Sequence, residues 1–347
     1  MNLQGIALHG HMKPVTMIKF TREGDLLFSV AKEPNISVWN TKNGERLGTY
    51  TGHSAIAACD VNNNSTLLAT AGMDFRARLW CVESGNYLTE ISLDTPAKAI
   101  EFAHDDGRLL VSTTKKMGFK STIQLYNLPI SIPKTGYLFE EIRTEFTPCA
   151  TFECEDDDIT FATWGPTNDR IYYSTNDGSV SILDVETMRT IRTQKVHDDI
   201  VNRIHFDSNY LTLISASEDR TARLLDSRDC TMIQTYESDV PVNDAAISPC
   251  GDHIILGGGM DAQDVTTQGG QSTFEVKFYH KVHERPLGQV RCHFGTINTV
   301  AFYPNGRGFA SGAFDGLVKL HTFDDNYNSA PGSKPLWEPN TSISNEE

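Results

Sequence analysis

The sequence contains a recurring set of three side chains that could perform nucleophilic chemistry: a histidine, a serine or threonine, and an acid. In a hydrolase the acid orients the imidazole, which accepts the hydroxyl proton and so activates the oxygen. The clearest set is His53, Thr70 and Asp74, just before Trp80. A nucleophilic site would appear once, whereas this set recurs in register along the chain. We therefore interpret the sets as structural hydrogen-bond networks.

Each set lies at a nearly constant sequence separation from a bulky residue at the end of an apolar strand. The histidine lies 27 or 28 positions before that residue, and the acid lies six positions before it and four after the hydroxyl. Loss of such a buried network would leave polar groups unpaired, at a cost of about 1–3 kcal/mol. The sets are His11, Ser29, Glu33 and Trp39; His53, Thr70, Asp74 and Trp80; His197, Ser215, Asp219 and Leu225; and His293, Ser311, Asp315 and His321.

The strand that carries the bulky residue defines an internal repeat. Trp39 and Trp80 are 41 residues apart, and Leu183 and Leu225 are 42 apart, close to the period of about 40–45 residues of a WD repeat. Two longer intervals contain insertions, around residues 129–141 and 257–272. Short alternating β-prone runs and turns rich in Gly, Asn and Asp lie between these marks. The seven strand ends are Trp39, Trp80, Tyr126, Leu183, Leu225, Tyr279 and His321.

Each repeat supplies about four short antiparallel strands, which is one blade of a β-propeller. One blade cannot bury its own faces, so neighbours must stack around an axis. The last repeat has only three convincing strands, and the N-terminal stretch before His11 offers a fourth. The sequence therefore predicts an all-β fold, a seven-bladed WD-repeat β-propeller over residues 1–325, closed by the N-terminal strand completing the last blade. Residues 326–347 are polar and predict a disordered tail.

Composition narrows the functional classes. The 347 residues carry a formal net charge of −15, which argues against a protein that grips nucleic acid through clustered Lys and Arg and favours partners with basic segments. No apolar run approaches the roughly 18 residues that span a bilayer, and the N-terminus does not resemble a secretory signal. The seven cysteines are scattered without a C-x-x-C pair. We expect a cytoplasmic protein with reduced thiols that binds no membrane.

Three other groups could suggest a chemical site. The glycines at 257–259 lack the Gly-Lys-Ser/Thr of a phosphate-binding loop and are more typical of a strand end where the backbone packs closely. His280 and His283 would need further ligands to hold a metal. The acidic run at 153–158 lacks the glycine-bearing loop of an EF-hand. We predict no catalytic residue, no cofactor and no metal.

The sixth repeat carries the most specific sequence in the chain. GGGMDAQDVTTQ (residues 257–268) is followed by FEVKFYHKVHERPLGQVRCHFGTINTVAF (residues 274–302). These stretches resemble the i subunit of eukaryotic translation initiation factor three, a family that typically carries Gly-Gly-Gly, DVTT and His-Phe-Gly-x-(Ile/Leu)-Asn. Residues 22–34, 43–53 and 242–249 are similar to the same family. The chain departs from the pattern at Met260, where Gln is usual, and at Phe314, where Glu is usual.

The resemblance implies a non-catalytic scaffold subunit of an initiation factor that binds the small ribosomal subunit and supports recruitment and scanning of messenger RNA. It implies binding to the b subunit, whose C-terminal segment packs on blades five and six, and to the g subunit. Leu224 and Asp226 become candidate partner-binding residues, although both could simply close a blade strand. We expect ribosome contact mostly through partners, no direct sequence-specific binding of nucleic acid, and no homo-oligomer.

Two other functions are open at this point. Another WD-repeat adaptor, of a signalling or receptor-kinase complex, would share the repeats but not the DVTT insertion. A propeller enzyme would need a single constellation of acids, histidines or metal ligands in the central channel, and the sequence offers none.

Overall fold

The computed structural model describes residues 4–128, 146–155, 157–260 and 274–324. Over these residues the chain forms seven antiparallel four-stranded sheets and no helix, and therefore no helix that could cross a membrane. The sheets are the seven blades of a β-propeller, which confirms the predicted fold class. The insertion predicted around 129–141, most of the one at 257–272, and the tail at 326–347 lie outside the described residues.

Each blade runs from an inner strand at the channel to an outer strand at the rim. Blades 1 to 6 follow chain order, and blade 7 combines the last three strands with the first. The strands are β1 (Gln4–His9); β2 (Val15–Phe20), β3 (Leu26–Ala31), β4 (Asn35–Asn40) and β5 (Arg46–Thr51) in blade 1; β6 (Ile56–Val61), β7 (Leu67–Gly72), β8 (Arg76–Cys81) and β9 (Tyr87–Ser92) in blade 2; β10 (Ala97–Phe102), β11 (Arg108–Thr113), β12 (Ser121–Asn127) and β13 (Ala150–Cys154) in blade 3; β14 (Ile159–Trp164), β15 (Arg170–Thr175), β16 (Ser179–Asp184) and β17 (Arg189–Lys195) in blade 4; β18 (Val201–Phe206), β19 (Thr212–Ser217), β20 (Thr221–Asp226) and β21 (Met232–Glu237) in blade 5; β22 (Val242–Ile247), β23 (His253–Gly258), β24 (Glu275–His280) and β25 (Pro286–Arg291) in blade 6; and β26 (Ile297–Phe302), β27 (Gly308–Ala313) and β28 (Leu317–Thr322) in blade 7.

The N-terminal strand closes the ring. β1 pairs antiparallel with β28, with Gln4 opposite Thr322 and His9 opposite Leu317. Leu8 on this strand is buried, and it packs in one cluster with Val318 and Leu320 of blade 7 and with Trp39 of blade 1. The predicted closure is therefore confirmed.

The hydrophobic core consists of slabs between neighbouring blades. All six residues of β7 and of β27 are buried, because a middle strand has a blade packed on each of its faces. Outer strands are more exposed, and β17 has no buried residue. We call the face formed by the loops before each inner strand and between the second and third strands the upper face. The opposite face is the lower face.

A bulge recurs at the second residue of every inner strand in the described chain, where the pairing with the neighbouring strand skips one residue. In five blades the skipped residue is Thr or Asn, and its side chain donates a hydrogen bond to the first carbonyl of the next inner strand. This bond crosses the seam between two blades. The five bonds are Thr16 to Ile56 (2.9 Å), Thr160 to Val201 (2.5 Å), Asn202 to Val242 (3.2 Å), Asn243 to Ile297 (3.0 Å) and Asn298 to Val15 (2.8 Å).

The two remaining seams use carboxylates instead. Blades 2 and 3 have Ala57 and Lys98 at the skipped position. Asp60 Oδ2 accepts a bond from the Phe102 N–H at 2.8 Å, which joins blade 2 to blade 3. Glu101 Oε2 accepts one from the Trp164 N–H at 2.8 Å, which joins blade 3 to blade 4. Within the described residues, each of the seven seams therefore has a side-chain-to-backbone bond beside the channel.

We predict that Asn298→Ala lowers the free energy of unfolding by about 1–3 kcal/mol, because the Val15 carbonyl at the closing seam loses its donor. Urea unfolding followed by circular dichroism would measure the change. Asn209→Ala, in an exposed loop, is the control and should change stability by less than about 0.5 kcal/mol. Equal stability of the two variants would contradict a role for the seam bond.

Candidate functional site

The four side chains predicted for blade 2 form one continuous hydrogen-bond network. His53 lies in the loop before β6, Thr70 on β7, Asp74 in the turn after β7, and Trp80 on β8. Trp80 Nε1 donates to Thr70 Oγ1 at 2.9 Å. His53 Nε2 lies 2.8 Å from the same oxygen, and His53 Nδ1 lies 3.0 Å from Asp74 Oδ1. The network fastens the upper loop to both middle strands and to the turn between them.

Blade 1 builds the same network with glutamate as the acid. His11 Nδ1 lies 2.6 Å from Glu33 Oε1, and His11 Nε2 lies 2.7 Å from Ser29 Oγ. Trp39 Nε1 donates to the same serine oxygen at 2.8 Å. The second oxygen of Glu33 accepts the Met12 N–H at 3.2 Å, so the acid also holds the residue after the histidine.

Burial keeps these imidazoles neutral. It lowers the pKa of His11 and of His53 below the ordinary value and outweighs the opposing pull of Glu33 and Asp74. In a neutral ring one nitrogen donates and the other accepts, so the bonds run in one direction from indole to hydroxyl to imidazole to carboxylate. Thr70 is fully buried. Because its hydroxyl is bonded on both sides and shielded from solvent, this arrangement holds the blade together and offers no nucleophile to a substrate.

Blades 5 and 7 bring together three of the four predicted members. His197 lies 2.7 Å from Ser215 and 2.8 Å from Asp219; His293 lies 2.8 Å from Ser311 and 3.2 Å from Asp315. Burial alone would raise the pKa of Asp219 and of Asp315, but hydrogen bonds from the histidines and from nearby donors hold both pKa values below the usual range. The acids therefore stay ionised and keep accepting these bonds.

The residue before the histidine in blades 1 and 2 must be glycine because of the tryptophan. A Cβ at Gly10 would lie 2.7 Å from Cη2 of Trp39. A Cβ at Gly52 would lie 2.7 Å from Cη2 of Trp80. Both are closer than real Cβ atoms approach, so the indole occupies the space of the missing side chain.

Blades 5 and 7 show the opposite combination. Leu225 and His321 stand at the tryptophan position, and Val196 and Cys292 stand before the histidine, each 4% exposed. A larger residue in the loop thus accompanies a smaller one on the strand. The sequence motifs alone did not predict this exchange. Once the repeats are aligned, however, the sequence shows it: the residue before the histidine is Gly where the strand carries Trp, and Val or Cys where it does not.

His321 is a buried titratable group in the closing blade. Its ring stacks on Phe309 with centroids 4.5 Å apart and an interplanar angle of 16°. Its Nε2 is buried and has no hydrogen-bond partner among the described residues. Burial lowers the pKa of His321 to about 4, with smaller contributions from His293 and Lys319. The side chain is therefore neutral at physiological pH.

The central channel is where a propeller enzyme would hold reacting groups. There Lys19 Nζ lies 2.8 Å from Asp60 Oδ1. Arg203 reaches from blade 5 to donate to the Thr16 carbonyl of blade 1 at 2.5 Å, and it lies 3.5 Å from Asp244. These charges are used in pairs that tie blades together. The described residues contain no group of three or more His, Cys, Asp or Glu side chains that could hold a metal ion.

The other sequence candidates occupy structural positions. Gly258 ends β23, where a Cβ would collide with the Pro241 carbonyl oxygen, as expected for a closely packed strand end. The rings of His280 and His283 lie 4.6 Å apart at the end of β24 and in the turn that follows. Asp177 lies six residues before Leu183, at the acid position of blade 4, but no histidine of the set precedes it; it accepts bonds from Thr175 and Ser179 in its own turn.

The two candidate partner-binding residues lie on blade 5 but differ in access. Leu224 on β20 is only 4% exposed and belongs to the core between blades 5 and 6. Asp226, at the end of β20, has a side chain 20% exposed. Its carboxylate binds the Arg228 guanidinium at 2.6 Å, and these hydrogen bonds lower the pKa of Asp226 to about 2. Asp226 can meet a partner directly, whereas Leu224 can only support the surface from beneath.

An apolar surface that the sequence did not reveal lies beside Asp226. Met232 and Ile233 on β21 are 58% and 50% exposed, and Val282 in blade 6 is 58% exposed. Gln234 Nε2 donates to the Val282 carbonyl at 3.4 Å, which joins the two blades at this point. The lower rim of blades 5 and 6 therefore offers exposed apolar side chains near a carboxylate.

Comparison with known proteins gives a consistent family result. Residues 3–330 match the family model described as EIF3I. The protein named eukaryotic translation initiation factor 3 subunit I from Schizosaccharomyces pombe is 39% identical over 329 residues, covering 94% of this chain and 98% of the relative. Proteins of the same name from Aspergillus oryzae and Botryotinia fuckeliana are 42% and 40% identical, each over 94% of this chain and 96% of the relative.

We predict that Gly52→Val alone lowers the free energy of unfolding by about 1–3 kcal/mol, because the new side chain overlaps Trp80. Adding Trp80→Leu reproduces the Val196 and Leu225 combination of blade 5. The double variant should be more stable than the sum of the single effects by roughly 1 kcal/mol or more. Urea unfolding of the four proteins would measure this coupling, and simple additivity would contradict the proposed exchange of volume.

We also predict that His321→Phe reduces acid sensitivity. The folded-state pKa of about 4 lies below the ordinary 6.5, so the unfolded chain binds the extra proton first and stability falls as pH drops from about 6.5 towards 4. Phenylalanine keeps the stacking on Phe309 and cannot titrate. Over this window the slope of unfolding free energy against pH should decrease by up to about 1.4 kcal/mol per pH unit. Parallel curves for the two proteins would refute this.

Proposed function

Because this chain belongs to the EIF3I family, we propose that it acts as a non-catalytic scaffold subunit of eukaryotic translation initiation factor three. Family membership supports a role in translation initiation, and the observation that carries it is the match across residues 3–330. In this role the propeller holds the b and g subunits together, and so supports assembly of the small-ribosomal-subunit pre-initiation complex, recruitment of messenger RNA and scanning. We place this activity in the cytoplasm.

The b-subunit segment binds, in this proposal, at the lower outer surface of blades 5 and 6. Met232, Ile233 and Val282 supply exposed apolar contacts there. An amphipathic helix can lay its apolar face on such a surface, while its basic residues meet acids at the edge. Asp226 is the acid best placed for that contact.

The pair between Asp226 and Arg228 does not prevent this contact. Arg228 is 86% exposed and lies two residues along the same turn, and exposed ion pairs of this kind contribute about 0–1 kcal/mol. A lysine or arginine of the partner can therefore replace Arg228 at little cost. The buried Leu224 keeps the strand end in place beneath the contact.

The net charge of the chain determines which kinds of partner it attracts. A net charge of −15 attracts basic protein segments and speeds their association. The same charge repels ribosomal RNA, whose phosphates require clustered cations. We therefore propose that contact with the small ribosomal subunit runs mostly through the partner subunits.

The test is affinity purification of the tagged chain from cytosol, for the wild type and for Asp226→Lys. The wild type should co-purify with the b and g subunits and the small ribosomal subunit. Asp226→Lys should weaken binding of the b-subunit segment by about tenfold or more, since it replaces attraction of a basic partner by repulsion. Isothermal titration with the purified segment would give the ratio.

Asp184→Lys is the matched control, because Asp184 ends the equivalent strand β16 of blade 4. It should leave binding of the segment unchanged. Failure of the wild type to co-purify any initiation-factor subunit would overturn the scaffold function and favour a signalling adaptor. Equal affinity of wild type and Asp226→Lys would remove only Asp226 from the interface.

A further inference from the structure

The upper face of blades 7 and 1 exposes three large apolar side chains. Phe294 is 85% exposed, Met12 is 98% exposed and Phe314 is 52% exposed. Aromatic and methionine side chains are enriched in the centres of protein interfaces. We call Met12, Phe294 and Phe314 the upper apolar patch. It lies on the face opposite to the surface proposed for the b subunit.

The buried networks of the two blades fix the position of this patch. The acid of each network accepts the N–H of the residue after the histidine, and this bond holds the loop. Phe294 N–H donates to Asp315 Oδ2 at 3.0 Å, and Met12 N–H donates to Glu33 Oε2 at 3.2 Å. Because these hydrogen bonds already fix the loop backbone, a partner that binds here pays for ordering the side chains but not for ordering the loops.

The three loops that carry the patch touch one another. Phe314 N–H donates to the Thr296 carbonyl at 2.8 Å, so the loop of Phe314 lies against the loop of Phe294. On its other side, a Cβ at Gly316 would lie 2.7 Å from the His11 carbonyl, next to Met12. The patch is therefore one surface that crosses the seam between blades 7 and 1.

Among the described residues, the exposed charges beside the patch are positive. Lys13 follows Met12, and Lys32 precedes Glu33; both are exposed and have no ion pair among the described residues. The Lys32 N–H donates to the Pro14 carbonyl at 3.0 Å, so the two lysine-bearing loops adjoin. The acids of the two networks are occupied by the bonds given above. At the corresponding positions of blade 5 the chain has Asp199 and Glu218 instead.

We propose that the upper apolar patch binds an acidic segment of another protein, with apolar side chains that pack on Phe294, Phe314 and Met12 and with Asp or Glu residues that meet Lys13 and Lys32. This partner has the opposite charge from the basic segment proposed for blades 5 and 6. The propeller thus carries two docking surfaces of opposite electrostatic preference on opposite faces. Charge complementarity of this kind selects partners as well as speeding their association.

The first experiment is photo-crosslinking with p-benzoylphenylalanine at position 314 of the full chain, within the complexes purified from cytosol. Mass spectrometry of the crosslinked peptide should identify a segment of another protein with apolar residues flanked by Asp or Glu. Crosslinking to RNA, to a basic segment, to a second copy or to the same chain would overturn the proposal. So would the absence of any crosslink.

The second experiment uses a synthetic peptide with the crosslinked sequence and fluorescence anisotropy. Lys13→Glu combined with Lys32→Glu, and separately Phe294→Ser, should each weaken binding by about tenfold. The matched control is Met117→Ser, 79% exposed in the upper-face turn of blade 3, which should bind as the wild type does. Thermal unfolding should be unchanged in all variants, because the altered side chains are exposed. An unchanged affinity in either patch variant would overturn the proposal.

Discussion

The ring depends on hydrogen bonds that cross each seam beside the channel. Strands pair only within a blade, so no sheet ladder joins one blade to the next, except that β1 pairs in blade 7 and its chain continues into blade 1. The apolar slabs between blades are non-directional and would tolerate sliding. A bond from the skipped residue of one inner strand to the first carbonyl of the next sets the relative height of two blades. Where Ala57 and Lys98 cannot make it, Asp60 and Glu101 do the same from further along the strand.

The histidine networks perform a complementary task within the blade. In each network the histidine joins a buried hydroxyl to the acid. In blades 1, 5 and 7 the acid also accepts the N–H of the residue after the histidine and so holds the loop. Blades 5 and 7 show that the network tolerates loss of the indole when Val196 or Cys292 fills the space. The networks thus share only their residue types with a catalytic triad, because the hydroxyl of Thr70 is fully buried and no substrate can reach it.

Much of the fold could be predicted from the sequence, because WD repeats place recognisable residues at fixed spacing. The four networks, the seven strand ends and the closing role of the N-terminal strand all follow from that register. The seam bonds could not be predicted, because Thr and Asn at one position of an inner strand are common and their partners lie between 40 and 283 residues away in the chain. The surfaces could not be predicted either: Leu224 and Met232 are both apolar residues on adjacent strands, and only packing decides that one is buried and the other exposed.

Closure by β1 has a consequence for how the protein is made. Of the strands described, the first to leave the ribosome pairs with the last, since Gln4 faces Thr322. Until β28 is synthesised, Ile6 and Leu8 have no blade to join, and the nascent chain carries an unpaired apolar strand while the six intervening blades are made. Contacts of such long sequence separation form slowly and leave intermediates prone to aggregation. The closed ring is therefore available only after β28 has been made, and chaperones that shield a free β-strand would have their greatest effect on β1.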